Sequence, residues 1–313
     1  MKPDVLAIGS FPEATWAELA NRFSVHRFGK IALARESLAA DVASRVRALA
    51  TEANNGADRA LIARLPKLEI ISVFGVGVDA VDLAAARERA LPVTNTPRVL
   101  EDEVADLAIG LMLASARQIV FADQFVREGR WQSGPIGFGR SVGGKTMGVV
   151  GLGGIGRAIA DRGVAFKMRV LYHGPREKFG APYAFVPDLL DLARQSDFLV
   201  VACKGGPETR HLVSAAVLDA LGPKGTLVNV ARGSVVDETA LIDALAKGRL
   251  GHAALDVFEN APYVPEALLA LPNVIVQPHH GSASVETRSA MGQLMIDNIS
   301  ARLAGQALLT PVR

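Results

Sequence analysis

Two polar residues stand out by where they fall. Arg232 follows an apolar run in Val228-Asn229-Val230-Ala231-Arg232-Gly233-Ser234, and His279 follows another in Val274-Ile275-Val276-Gln277-Pro278-His279-His280-Gly281-Ser282. Each is read as a side chain in the turn just past the end of a strand. A guanidinium there can grip a carboxylate and a carbonyl oxygen with its forked donors. An imidazole can pass a proton to an oxygen while hydride arrives at the attached carbon. The pair therefore suits a 2-oxoacid undergoing reduction.

A hydride donor has a place in the same chain. Residues 146–168, TMGVVGLGGIGRAIADRGVAFKM, open with a buried-strand pattern, break into Gly151-Leu152-Gly153-Gly154-Ile155-Gly156 and continue as a helix with Ile155, Ile159, Val164 and Phe166 as its apolar positions. A second strand, Arg169-Val170-Leu171-Tyr172, follows. Strand, glycine turn, helix and strand in this order cradle a dinucleotide pyrophosphate. Gly151 permits the tight turn, Gly153 admits the phosphates to the backbone amides, and Gly156 lets helix and strand pack closely. The helix start adds unpaired N–H groups and partial positive charge.

The second strand leads into Tyr172-His173-Gly174-Pro175-Arg176-Glu177-Lys178, with no acid at the strand end to hold a ribose 2′-hydroxyl. Arg176 and Lys178, with His173 beside them and Lys204 after the next strand, are the groups to pair with a 2′-phosphate. The prediction is NADP(H) as the preferred cofactor, with NAD(H) left open.

These residues need α/β elements to hold them. Strands are read at 4–9, 25–28, 46–51, 68–74 and 92–95, alternating with helices at 12–23, from 38, at 57–65 and at 83–89. One long amphipathic helix is expected from 101 to 128, then a glycine-rich linker at 133–139. Beyond the glycine turn come strands at 198–202, 226–229, 253–257 and 274–277, helices at 214–221 and 238–248, and a final helix at 284–303. The fold class is α/β, with two doubly wound parallel-sheet domains.

Bulk properties narrow the setting. The chain has 313 residues, 50% hydrophobic and 21% charged, with a net charge of +2 and one cysteine, Cys203. No basic stripe interleaves with aromatics, so no nucleic-acid partner is expected. No apolar run reaches the roughly 20 residues of a membrane span, and the first residues do not read as a signal peptide. A single cysteine allows neither an internal disulfide nor a cysteine metal cluster, and no metal is expected. A cytoplasmic location is inferred.

Several motifs now add up. GVGVD at 75–79, NTPRVLEDEVADLAIGLML at 95–113, GLGGIG at 151–156, GGPETR at 205–210, NVARGSVVDE at 229–238, LDVF at 255–258 and PHHGSAS at 278–284 occur in this order. The chain resembles the D-2-hydroxyacid dehydrogenases, in particular their glyoxylate and hydroxypyruvate (hydroxyphenylpyruvate) reductase branch. The resemblance implies a Rossmann cofactor domain, residues 98–282, inserted in a flavodoxin-like substrate domain, residues 1–97 plus 283–313. It implies that Arg232 binds the substrate carboxylate and that His279 is the acid–base group. Backbone amides of Val76 and Gly77, with Asn54 nearby, would bind substrate. Val104, Ala231, Arg232, Asp256, His279 and Gly281 would join Gly151, Gly153, Gly154, Ile155 and Gly156 around the cofactor. A homodimer built on the helix after Pro97 would be usual.

One position departs from the pattern. The family carries a glutamate immediately before Pro262, which orients the histidine, and this chain has Ala261. Three readings stay open: Glu259 or His280 substitutes, His279 works unassisted, or the protein is a weakened NADP(H)-binding relative acting as a sensor or interaction protein.

Overall fold

The computed structural model describes residues 2–312. The chain divides into two units, one of residues 1–100 with 283–313 and the other of residues 101–282. The first unit begins with β1 (Asp4–Ile8), α1 (Glu13–Arg22), β2 (Ser24–Phe28), α2 (Ile31–Ser37), α3 (Ala40–Ala43) and β3 (Ala48–Glu52). It continues with α4 (Arg59–Arg64), β4 (Ile70–Phe74), α5 (Leu83–Glu88) and β5 (Val93–Thr94). The second unit contains α6 (Glu101–Ala116), α7 (Ile119–Arg127), β6 (Thr146–Val150), α8 (Gly154–Ala165), β7 (Arg169–His173) and β8 (Ala184–Phe185). Then come α9 (Leu189–Gln195), β9 (Phe198–Val201), α10 (Ala215–Leu221), β10 (Thr226–Asn229), α11 (Glu238–Ala246), β11 (His252–Leu255), α12 (Glu266–Leu269) and β12 (Val274–Val276). The last helix, α13 (Val285–Leu303), returns to the first unit.

Strands buried on both faces read as near-continuous apolar runs, and this is how β1 and β4 behave. The first unit is a five-stranded sheet in the order β2-β1-β3-β4-β5, with every pair parallel. That order is the flavodoxin-like one. Leu6, Ile8, Leu49, Ile71 and Val73 form its core with Leu61, Ile62 and Leu65. α13 buries Met291, Met295, Ile296 and Ile299, and the Ser72 hydroxyl of β4 donates to the Met295 carbonyl at 3.2 Å. Asn298 is wholly buried. Its amide donates to the Thr310 hydroxyl at 2.9 Å, and its oxygen accepts the Leu309 and Thr310 amides, both at 3.1 Å, which holds the tail in place.

The second unit is a seven-stranded parallel sheet in the order β12-β11-β10-β9-β6-β7-β8. The order runs outward from β6 in both directions, so the chain reverses between β6 and β9. In such sheets the ligand crevice lies at the carboxyl ends beside that reversal. Arg162 on α8 clamps this helix to α6 through Asp106 at 2.6 Å and Asp102 at 3.1 Å.

Two expectations are corrected. The long helix at 101–128 is two helices bent by 58°. α6 stops because the Ala116 carbonyl accepts the amide of Arg140, and Gln118 takes a left-handed φ of 55°. On α8 the buried positions are Gly156, Ile159, Ala160 and Gly163, whereas Val164 and Phe166 are exposed. Small residues make that face because α8 lies almost on β6, and a Cβ at Gly163 would come within 2.2 Å of Met147. No single described helix is long and apolar enough to cross a bilayer.

Candidate active site

The glycine turn is built by close approach. Gly151 has a φ of 94°, in the region that favours glycine. A Cβ on it would lie 2.6 Å from the Cys203 backbone. Its amide donates to the His173 carbonyl at 2.8 Å, tying the turn to β7. At Gly156 a Cβ would stand 1.9 Å from the Gly151 carbonyl, so helix and turn meet only through glycine. Nothing lies within 4 Å of the Cβ position of Gly153, which caps α8. Gly154, against which the Glu101 side chain packs, begins the helix and Ile155 follows it. The open approach at Gly153, above the first amides of a twelve-residue helix, fits a pyrophosphate.

The loop after β7 carries the cations named for the 2′-phosphate. Arg176 and Lys178 are exposed, and the Lys178 amide donates to the buried Tyr172 hydroxyl at 2.8 Å, which fixes where the loop folds back. The His173 ring is engaged with the Val186 carbonyl at 3.1 Å. Lys204 follows β9, and β6 lies between β9 and β7, so it is not on a loop adjacent to Arg176.

Arg232 and His279 hang from one chain of hydrogen bonds. Asn229, at the end of β10, is 1% exposed. Its side-chain oxygen accepts the Ala231 amide and its side-chain nitrogen donates to the Arg232 carbonyl, both at 3.1 Å. Its backbone carbonyl accepts the amide of Asp256 at 2.9 Å. The Asp256 carbonyl then accepts the His279 amide at 2.9 Å, and its carboxylate accepts the amides of His280 at 2.6 Å and Gly281 at 2.9 Å. His279 has a φ of 56°, a conformation that costs a non-glycine residue energy and clusters at functional sites. Three bonds to one aspartate hold it there. The Val104 side chain lies 3.4 Å from the Cβ position of Gly281, so Val104, Asp256 and Gly281 meet.

Asn229 is the residue that the sequence did not single out. An asparagine closing an apolar run was the available signal. Asp256, expected near the cofactor, serves the backbone of the histidine turn.

Next to Gly233, on the Arg232 turn, lies an acidic pair. The Glu259 carboxylate accepts from Arg210 at 2.7 Å and from the His211 ring at 2.8 Å. The amide of Glu259 donates to Glu238 at 3.2 Å. Burial, with the Glu259 charge adding to it, holds the Glu238 carboxyl above the usual glutamate range, against the pull of that amide bond.

In the first unit, Asn54 lies in the turn after β3, and Val76 and Gly77 lie in the loop after the neighbouring β4. The Ala53 amide donates to the Phe74 carbonyl at 3.3 Å and the Asn95 side chain donates to the Val76 carbonyl at 2.8 Å, so the two loops are side by side. Among the described residues no group of three or more His, Cys, Asp or Glu is placed to hold a metal ion.

Residues 109–281 match the family model of the D-isomer specific 2-hydroxyacid dehydrogenase NAD-binding domain. The hydroxyphenylpyruvate reductase of Plectranthus scutellarioides is 48% identical over 295 residues, 94% of each chain. A 2-hydroxyacid dehydrogenase from Ketogulonicigenium vulgare is similar with a TM-score of 0.91 and 48% identity, covering 100% of this chain and 99% of that one. The NADPH-dependent glyoxylate/hydroxypyruvate reductase of Sinorhizobium meliloti, solved with NADP and malonate, gives a TM-score of 0.94 and 42% identity, covering 100% of this chain and 97% of that one.

Two measurements check this geometry. Asp256→Asn forces an NH2 against one of two backbone donors, so urea titration should show a loss of about 2 kcal/mol. Glu238 binds its proton more tightly folded than unfolded. Its contribution is therefore full below the usual glutamate range and fades as pH rises through the raised value. Glu238→Gln keeps an acceptor and loses the titration. The wild-type protein should lose stability relative to it as pH rises above the usual glutamate range, read from denaturant midpoints.

Proposed function

The chain belongs to the D-isomer specific 2-hydroxyacid dehydrogenase family, and from that premise we propose that it is an oxidoreductase carrying hydride from NADPH to a small 2-oxoacid. Glyoxylate, hydroxypyruvate and similar acids form the substrate class, and the product is the D-2-hydroxyacid. The observation that carries this assignment is the linkage of the Arg232 and His279 turns through Asn229 and Asp256, in the same unit as an open glycine turn.

NADPH bound at the glycine turn supplies the hydride that the carbonyl carbon receives. The chain does the rest. Arg232 pairs with the substrate carboxylate and polarises the keto oxygen; in the first unit, Asn54 and the amides of Val76 and Gly77 are the substrate-binding groups. His279 donates the proton that turns this oxygen into the hydroxyl, and regains one from solvent after turnover. Val104, Ala231, Asp256 and Gly281 line the nicotinamide. Gly153, Gly154 and Ile155 offer amides to the pyrophosphate, between the close-packed Gly151 and Gly156. Arg176 and Lys178 hold the 2′-phosphate, with His173 and Lys204 contributing to the adenosine end. With alanine at 261, no carboxylate reaches His279 from the position the family uses.

The proposal extends to a cytoplasmic homodimer. The apolar outer face of α7, with Ile119, Val120, Phe121 and Val126 exposed, supports the dimer, and Trp131 and Phe138 extend it. The single cysteine, which leaves no internal disulfide, is consistent with the cytoplasm.

NADPH consumption, followed by nicotinamide absorbance against a panel of 2-oxoacids, tests the activity. Turnover should be clear and should drop by roughly a hundredfold or more in Arg232→Ala. NADPH binding without turnover of any acid would instead favour the cofactor-responsive interaction protein. Replacing Arg176 and Lys178 together with alanine should raise the Kd for NADPH roughly tenfold and leave that for NADH nearly unchanged. Equal effects on both cofactors would remove these residues from the phosphate site.

A further inference from the structure

The loops after β9, β10 and β11 sit side by side, because these three strands are adjacent in the sheet. The central loop carries Arg232. The outer two join through side chains: Arg210 and His211, at the end of the GGPETR stretch, both donate to one oxygen of Glu259. The Glu259 side chain is 19% exposed, so this is a sheltered contact.

The central loop is held from both sides. The His211 amide donates to the Ser234 carbonyl at 2.8 Å, and His211 takes a left-handed φ of 51° to do so. On the other side the backbone of Phe258 and Glu259 presses on Gly233. A Cβ there would lie 1.9 Å from the Phe258 carbonyl carbon and 2.4 Å from the Glu259 nitrogen. The turn that presents Arg232 is thus pinched between two backbones, and the Glu259 carboxylate ties those backbones together.

We propose that Glu259, with His211 and Arg210, is a positioning group for Arg232, setting the angle at which the guanidinium meets the substrate carboxylate. Its carboxylate is directed to the arginine turn and not to replacing the glutamate absent at 261. The assignment rests on Arg232 being the carboxylate-binding residue. No bond is made or broken by Glu259 itself, so its main effect falls on substrate binding.

The test uses the full-length protein and three variants: Glu259→Ala, Glu259→Gln and His211→Asn. Steady-state kinetics with hydroxypyruvate give kcat and KM, fluorescence titration gives the NADPH Kd, and hydrogen exchange follows the amides of residues 232–236. In Glu259→Ala, KM should rise roughly tenfold, with the NADPH Kd within about twofold of wild type and faster exchange at 232–236. Glu259→Gln, which keeps an oxygen for both donors, should restore most of KM and the slow exchange. His211→Asn accommodates the left-handed backbone and should fall between them, and it carries the test if the alanine variant does not fold. Unchanged KM and exchange in Glu259→Ala overturn the proposal. So does a loss in Glu259→Gln equal to that in Glu259→Ala, or a loss confined to NADPH binding. A wild-type protein that turns over no 2-oxoacid sinks the functional assignment alone, because the exchange data still judge the brace.

Discussion

Asn229 and Asp256 each use their side chains to hold the backbone of the loops around them. Both are buried to within 2% of completely, and both stand where a strand of a parallel sheet hands over to a turn. A buried carboxylate is costly unless its oxygens are satisfied, and Asp256 meets that cost with two backbone amides. The bargain works in both directions. The amides of residues 280 and 281 gain a charged acceptor, and His279 is kept in a backbone conformation it would otherwise leave. Without the carboxylate, only the backbone bond from the His279 amide is left of the three that hold the strained turn. The position of His279 is therefore a property of β11 as much as of the residue itself.

Much of this was legible in the residues. Parallel strands announce themselves as short continuous apolar runs bounded by turns, and β4, β6, β9 and β10 follow that rule. The glycine turn was legible because three of its positions have reasons that belong to the backbone alone. Other features depend on partners far away in sequence. Nothing local in Arg117-Gln118 ends α6, and its last carbonyl is instead taken by Arg140. Val164 and Phe166 fit a helical apolar pattern, yet the face that packs is made of smaller residues. α2 and α9 went unread, although Asp188 caps α9 by accepting the Leu190 amide. Asn229 was invisible as a functional residue because a buried asparagine declares its role only through the groups it meets.

The alanine at 261 takes on a different weight in this setting. Glu259, two residues earlier, is drawn toward Arg210 and His211. The two carboxylates that a comparison of motifs would treat as interchangeable neighbours thus face different tasks. One would serve the histidine and is missing, whereas the other serves the loop of the arginine and is present. Proximity in sequence is a poor guide to role where a turn reverses direction between two residues.

The return of α13 to the first unit has a consequence for biosynthesis. A ribosome makes β1 to β5 first, then the whole of residues 101–282, and only afterwards the helix that covers β4. Until Met291, Met295, Ile296 and Ile299 emerge, the side of β4 that they cover lacks its apolar partner. The seven-stranded unit is contiguous and can close while still attached. The nascent chain therefore carries a finished nucleotide-type domain beside an unfinished one with an exposed apolar face, the kind of surface that chaperones recognise. The order of folding is written into the topology, and the part made first is the part completed last.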